Sequence, residues 1–153
     1  MTESQEATPA RPEGNMADAK VALVVDDELF ARMFATQILH DEGFAIIEAE
    51  DAREALQVLA TNPDISLLFT DISMPGELDG IDLAIAAEVR RDLAVILTSG
   101  RREPSAETGL QRSRFLPKPY SAHALVSMVR EVTDASANSG RPCDGGLETS
   151  LAR

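Results

Sequence analysis

Five short apolar runs separated by helical patterns constrain the fold of this chain more than any other feature. The runs lie at about 21–25, 44–49, 65–70, 94–97 and 114–117. Segments that are apolar at almost every position are typical of parallel strands buried on both faces. Five strands, each followed by a helical pattern, predict an α/β domain with a parallel sheet and right-handed crossovers.

The intervening segments carry apolar residues at helical spacing. In the first, third and last helices these are Phe30, Met33, Phe34 and Ile38; Ile81, Ala84, Ile85 and Val89; and Leu125, Met128, Val129 and Val132. Asp51 followed by Glu54 predicts the N-terminus of the second helix, and Ser121 that of the last. A fourth helix at about 104–111 is predicted only weakly, because Leu110 alone would anchor it.

Composition sets the domain boundaries and excludes several classes of protein. With 153 residues, 44% of them apolar, the chain can form one domain of ordinary size. Polar segments rich in Pro and Gly predict disordered tails at 1–19 and 134–153 around a folded part at 20–133, with no second folded domain.

The net charge of −12 argues against nucleic acid or an anionic membrane as a direct partner. The single cysteine, Cys143, excludes an internal disulfide, and neither a signal pattern nor a membrane-spanning run is present. We therefore expect a cytoplasmic protein.

Polar residues stand at the carboxyl ends of four predicted strands. Asp26 and Asp27 follow the first strand, Asp71 the third, Thr98 the fourth and Lys118 the fifth. In a flavodoxin-like sheet with strand order 2-1-3-4-5, strands 1 and 3 are neighbours, and ligands bind beyond their carboxyl ends. All five residues are therefore expected on one rim of the sheet.

Three carboxylates at one rim favour a hard divalent cation. Two like charges about 4 Å apart repel by about 4 kcal/mol at an effective dielectric of about 20. Oxygen-only ligands suit Mg²⁺, or Mn²⁺, far better than zinc. An ionised aspartate can also attack phosphorus directly to give an aspartyl phosphate, and that transfer mainly needs positioning and neutralised charge. The cation, Lys118 and the Thr98 hydroxyl would supply both.

Four motifs carry a family resemblance. In chain order, VVDDE, FTDISMPG, LTSG and FLPKPY resemble the receiver domain of two-component response regulators, over about residues 20–133. The resemblance implies a flavodoxin-like (CheY-like) fold with helices on both faces of the sheet.

The resemblance also implies roles for individual residues. Asp71 would be the phosphoacceptor, and Asp27, Asp71 and the Ser73 backbone carbonyl would bind the metal, with Asp26 acting mostly through water. Thr98 and Lys118 would contact the phosphoryl group, and Phe115 matches the aromatic switch residue of the family. A cis peptide bond is expected before Pro119.

These roles lead to an expected function. A histidine kinase or histidine phosphotransfer protein would donate the phosphoryl group to a single-domain regulator, which would switch an unknown target protein or act as a relay or phosphate sink. Such a protein is not a multiple-turnover enzyme. The alternatives are a metal-dependent phosphohydrolase with an aspartyl nucleophile and an interaction module that is never phosphorylated.

Two sequence features depart from this simple scheme. The loop at 74–80 is one residue longer than the commonest family pattern, and the segment at 100–114 has a poor helical face. Charge is also uneven, since residues 20–89 hold 3 basic and 15 acidic residues, whereas residues 90–118 hold 7 basic and 3 acidic. The basic residues predict either a solvated face or a docking edge for an acidic partner, the set being Arg90, Arg91, Arg101, Arg102, Arg112, Arg114 and Lys118.

Overall fold

The sheet has the predicted order. The computed structural model describes residues 20–90, 92–101, 104 and 109–140, with only the backbone for 135–140. Five parallel strands pair in the order β2-β1-β3-β4-β5. They are β1 (Lys20–Val25), β2 (Phe44–Ala49), β3 (Ile65–Asp71), β4 (Ala94–Ser99) and β5 (Arg114–Pro117).

Four helices pack on the two faces of this sheet. They are α1 (Leu29–Asp41), α2 (Ala52–Thr61), α3 (Gly80–Ala87) and α4 (Ala122–Gly140). Alternate strand residues supply two separate cores, one formed with α2 and α3 and the other with α1 and α4. In β1, Leu23 faces the first core and Val24 the second, and both side chains are at most 1% exposed. The continuous apolar runs are therefore explained by burial on both sides.

Local signals at the helix starts are confirmed. The Asp51 carboxylate accepts a hydrogen bond from the Glu54 amide at 2.8 Å, and the Ser121 hydroxyl accepts one from the Ala124 amide at 3.0 Å. Helix α3 has a full capping box between Asp79 and Asp82, which ends the long 74–80 loop. The peptide bond before Pro119 is cis, as expected.

The apolar spacing predicted where the helices lie, but it did not predict which residues of each helix are buried. In α1, Ile38 is buried, but Phe30, Met33 and Phe34 are 73%, 51% and 46% exposed. The buried face is formed instead by Ala35, Leu39 and the unexpected Arg32. In α3, Ile81 and Ala84 are buried, whereas Ile85 is exposed and Val89 lies past the helix end.

One boundary differs from the prediction, and the described residues of the weakly predicted fourth helix are not helical. Helix α4 continues to Gly140, beyond the expected end of the folded part at Thr133. In the described part of 104–111, Pro104 and residues 109–111 are not helical, while 105–108 lie outside the described residues. The expected tails at 1–19 and 141–153 also lie outside them and remain predictions. No helix in the described part of the chain is both long and apolar enough to cross a membrane.

Candidate functional site

The three acidic residues meet at the carboxyl end of the sheet. One carboxylate oxygen from each of Asp26, Asp27 and Asp71 lies within 4.8 Å of the others. Asp26 and Asp27 follow the end of β1, and Asp71 ends β3, the strand directly paired with β1. Asp26 and Asp71 are buried and Asp27 is exposed, so the cluster has one side open to solvent. Neighbouring parallel strands that end at the same rim thus bring distant positions of the sequence together.

Lys118 completes the cluster from β5. Its ammonium lies 3.2 Å from Asp26 Oδ2 and 3.6 Å from Asp71 Oδ1. The Lys118 amide donates to the Ser99 carbonyl at 3.0 Å, which ties the loop after β5 to the end of β4. One cation therefore bridges two of the three carboxylates, and no second cationic side chain among the residues that the structure describes pairs with the cluster.

The environment of Asp71 disfavours its ionised form. Burial raises the pKa of Asp71 to about 6; the Lys118 ammonium opposes the shift, while the Asp26 and Asp27 carboxylates add to it. A hydrogen bond from the Ser73 amide also favours the ionised form. An anionic group that is both desolvated and surrounded by like charge is stabilised by a bound cation.

The donor set fits a hard divalent cation. Three carboxylates within bridging distance present only oxygen ligands, and they carry more negative charge than Lys118 can neutralise. Mg²⁺ is bound in this way by one or two carboxylates, with several positions left to water or phosphate oxygens. The acidic pocket formed by Asp26, Asp27 and Asp71 could therefore hold a metal ion.

A cleft of about 390 Å³ opens over this cluster. Its lining includes the acidic Asp26, Glu28 and Asp71 together with Ser99, Gly100, Arg101 and Lys118. Ser73 also lines the cleft, as expected for a residue near the predicted metal, whereas Asp27 lies in the carboxylate cluster without lining the cleft wall.

Thr98 and Phe115 lie beside the cluster rather than in it. Thr98 is the register partner of Asp71 across β3 and β4, and it is fully buried. Its hydroxyl has no hydrogen-bond partner within the described part of the chain. Phe115 is paired with Leu97 and is partly buried against the core formed with α2 and α3.

Two residues that support the site were not predicted from the sequence. Arg32 is buried on α1 and donates to the Asp26 carbonyl at 2.7 Å and to Glu48 at 2.8 Å, which fixes the loop after β1. Tyr120 packs between Phe34 and Phe69, and its pKa is raised by burial and by the Asp26 and Asp71 carboxylates. An arginine on the buried face of a helix was the available signal for Arg32.

The family model for the response regulator receiver domain matches residues 22–130. The chain belongs to this family. Because the match covers most of β1 and all of the other four strands, the fold is that of a receiver domain.

Individual relatives are response regulators and a kinase. The receiver is 31% identical over 121 residues to the aerobic respiration control protein ArcA of Escherichia coli (strain K12), covering 77% of this chain and 50% of ArcA. It is 29% identical over 127 residues to the sensor kinase CckA of Brucella abortus (strain 2308), covering 78% of this chain and 13% of CckA. The chain thus spans about half the length, or less, of these curated relatives.

Solved structures give the same result over whole chains. A response regulator receiver protein from Sinorhizobium medicae WSM419 matches with a TM-score of 0.71 and 25% identity, covering 78% of this chain and 98% of the other. A CheY-like receiver domain protein from Methanospirillum hungatei JF-1 matches with a TM-score of 0.68 and 25% identity, covering 80% and 100%. The chain is therefore a response regulator receiver domain of two-component signalling.

Proposed function

We propose that this receiver accepts a phosphoryl group on Asp71 from a histidine-phosphorylated partner, with Mg²⁺ held by Asp26, Asp27, Asp71 and the Ser73 backbone carbonyl. The observation that carries the proposal is the meeting of three carboxylates with the Lys118 ammonium at one rim. Mg²⁺, when bound, supplies positive charge beside Asp71 and binding positions for phosphate oxygens. Among the three acidic residues, Asp26 would contribute mostly through water.

Asp71 is the nucleophile in this scheme. One carboxylate oxygen attacks phosphorus, the P–N bond to the donor imidazole breaks, and its electron pair leaves with the imidazole nitrogen. The product is an acyl phosphate on Asp71, and water attacking its phosphorus later releases phosphate and restores the carboxylate. Lys118 is already within 3.6 Å of Asp71, so it can bind a phosphoryl oxygen after a small movement.

Thr98 supplies the link between phosphorylation and conformation. A buried hydroxyl without a partner costs free energy, about 1–3 kcal/mol. A phosphoryl oxygen on the adjacent Asp71 would offer the Thr98 hydroxyl an acceptor and would favour its movement toward the cleft. Phe115, which is only partly buried, would fill the vacated space, and phosphorylation would thus shift a pre-existing equilibrium of the β4–β5 surface.

The phosphodonor partner would dock on α1. Four exposed side chains form an apolar patch at the N-terminal end of this helix: Leu29, Phe30, Met33 and Phe34. The helix starts next to Glu28, which lines the cleft, so a donor histidine that reaches Asp71 brings its protein over this patch. Exposed apolar patches rimmed by polar residues are typical of protein interaction sites.

The output of this receiver would pass to another protein. It would bind a further protein when phosphorylated, or serve as a relay or phosphate sink, and act as a single-domain regulator. The single-domain role and a cytoplasmic location stay predictions, since the chain spans about half the length of curated relatives such as ArcA.

Intact-mass measurement tests the proposal. The full chain is incubated with acetyl phosphate and Mg²⁺, and we expect a gain of about 80 Da, roughly one phosphoryl group. Asp71→Asn and a chelator should each abolish the gain, whereas Asp64→Asn, which removes an exposed carboxylate before β3, should leave it. Labelling that persists in Asp71→Asn, or no labelling of the wild type by acetyl phosphate or phosphoramidate, contradicts the proposal. Repeated turnover of small phosphate esters would instead indicate a phosphohydrolase.

A further inference from the structure

Most of the basic residues predicted to form a docking edge are already engaged. Arg90 donates to the carbonyls of Leu59, Pro63 and Ile65. Arg112 donates to three further carbonyls, those of Glu88, Arg90 and Leu93. These guanidinium groups hold chain segments together instead of forming a continuous surface for a partner.

The remaining described members of that set divide between a surface pair and the cleft. Arg114 pairs with Glu131 at 3.0 Å, and Lys118 lies in the carboxylate cluster. Arg91 and Arg102 lie outside the described residues. Arg101 is exposed and lines the cleft, and the structure records no carboxylate within 4.0 Å of its guanidinium among the residues it describes. Most of the positive charge that the docking-edge hypothesis requires is therefore already paired within the domain, and Arg101 needs a different explanation.

The backbone of Arg101 is fixed relative to Lys118. The Arg101 amide donates to the Ser99 hydroxyl at 3.1 Å, and the Lys118 amide donates to the Ser99 carbonyl at 3.0 Å. Between them, Gly100 lies beside Lys118, since a Cβ added at Gly100 would be in ordinary van der Waals contact with the Lys118 Cβ at 3.8 Å. The two cations thus leave adjacent, hydrogen-bonded segments of the same cleft wall.

The charge in the cleft leaves a need for a second cation. Asp26, Asp27, Asp71 and Glu28 supply four carboxylates in or beside the cleft, against Lys118 in contact with two of them. The aspartyl phosphate carries about −1.5 to −2 at neutral pH in place of the single negative charge of the Asp71 carboxylate, so with Asp26, Asp27 and Glu28 the phosphorylated site stays negative beside Mg²⁺ and Lys118. Arginine binds phosphate oxygens through a planar fork of donors, and it can do so from the rim because its side chain is long.

We propose that Arg101 is a second phosphate-binding cation of the cleft, whose guanidinium contacts the oxygens of the phosphoryl group that Asp71 receives. The inference rests on the proposed function, since it takes Asp71 as the acceptor. Lys118 holds the two buried carboxylates in the resting protein, whereas Arg101 is available for the incoming anion. Its contribution is binding the donor phosphoryl group and stabilising the phosphorylated state.

A phosphate-binding role for Arg101 should affect the binding of the phosphoryl group and the binding of Mg²⁺ in opposite directions. Removing a positive charge weakens binding of a phosphoryl group but does not weaken binding of Mg²⁺ to the same cleft, and should strengthen it slightly. A residue that merely shaped the loop would, when replaced, weaken both. The opposite signs separate a phosphate-binding role from a structural one.

The experiment compares Arg101→Ala and Arg101→Lys with the wild type and with Arg130→Ala. Arg130 is an exposed arginine that pairs with Glu42 away from the cleft, so its replacement removes the same charge at a distance. We expect Arg101→Ala to lower the acetyl phosphate labelling rate at sub-saturating donor, and the affinity for beryllofluoride as a phosphoryl analogue, by about tenfold. Arg101→Lys should recover part of the loss, Arg130→Ala should match the wild type, and the Mg²⁺ affinity of Arg101→Ala should be unchanged or higher.

Two results would overturn this assignment. If acetyl phosphate labels Arg101→Ala at the wild-type rate, the guanidinium does not bind the phosphoryl group. A parallel loss of Mg²⁺ affinity and labelling in Arg101→Ala shows that the residue acts through the structure of the loop. Both outcomes leave the Asp71-dependent labelling of the wild type intact, so they are distinct from failure of the proposed function itself.

Discussion

Replacement of Asp71 by Asn should stabilise the metal-free receiver. The Asp71 side chain is only 9% exposed, and burial together with the neighbouring carboxylates raises its pKa from 3.8 to about 6. A folded state that raises the pKa of an acid binds the proton more tightly than the unfolded chain, and therefore disfavours the ionised form. Since one pKa unit corresponds to about 1.36 kcal/mol, ionised Asp71 costs the folded state about 3 kcal/mol at pH 8.

The sign and the pH window follow from the same shift. The cost is complete above about pH 6, decreases as the pH falls from about 6 toward 3.8, and is absent below 3.8, where Asp71 is protonated in both states. The stability advantage of Asp71→Asn over the wild type should therefore fall to about half its value at pH 5.

Urea denaturation in the presence of a chelator measures this difference. The matched control is Asp64→Asn, which removes an exposed carboxylate just before the opposite end of β3. With Mg²⁺ at about 100 times its dissociation constant, the wild type gains about 2.7 kcal/mol and the advantage of Asp71→Asn should largely disappear. The reasoning is refuted if Asp71→Asn is no more stable than the wild type at pH 8 in chelator, or if Asp64→Asn gains as much.

Three further substitutions test other parts of the structure. Lys118→Met should slow acetyl phosphate labelling at least tenfold while leaving Mg²⁺ affinity unchanged or higher, and a parallel loss of both would contradict this. Gly80→Ala should destabilise the fold by at least ~2 kcal/mol in urea denaturation, because a Cβ there overlaps the Asp71 carbonyl and lies 2.7 Å from the Ile72 Cα; near-wild-type stability would disprove the close approach. Glu88→Gln should cost about 1–3 kcal/mol at pH 7, since this carboxylate accepts hydrogen bonds from three amides and the Ser113 hydroxyl. Burial raises the pKa of Glu88, but the four hydrogen bonds outweigh it and lower the pKa below 4.5. The cost of Glu88→Gln should therefore shrink as the pH falls below 4.5, and an undiminished cost in acid would contradict the account.

The sheet and the positions of its rim residues could be predicted from the sequence. Strands buried on both faces have a strong apolar signal, and Asp26, Asp71 and Lys118 stand at strand ends, where parallel topology brings them together. The order of the strands fixes which ends are neighbours. The distances themselves, and the raised pKa of Asp71, depend on burial that a linear pattern does not reveal.

The buried face of α1 and the structure after β4 could not be predicted in the same way. Spacing cannot tell an apolar residue that packs from one that is presented to a partner: Phe30 shares the helical spacing of the buried Ile38, yet it is 73% exposed. After β4, residues 111–113 are held by Glu88, whose carboxylate accepts hydrogen bonds from their three amides, and the Arg112 guanidinium donates to the Glu88 carbonyl. Such polar anchoring has no periodicity, and a count of charges does not reveal that the exposed Arg112 is engaged with backbone carbonyls.

Calorimetric titration with Mg²⁺ tests the central claim most directly, namely that Asp26, Asp27 and Asp71 form a cation site. The account predicts one binding event per chain for the wild type and for Asp64→Asn, with binding weakened or lost in Asp71→Asn and Asp27→Asn. No binding to the wild type at millimolar Mg²⁺, or equal binding to all four proteins, would contradict it.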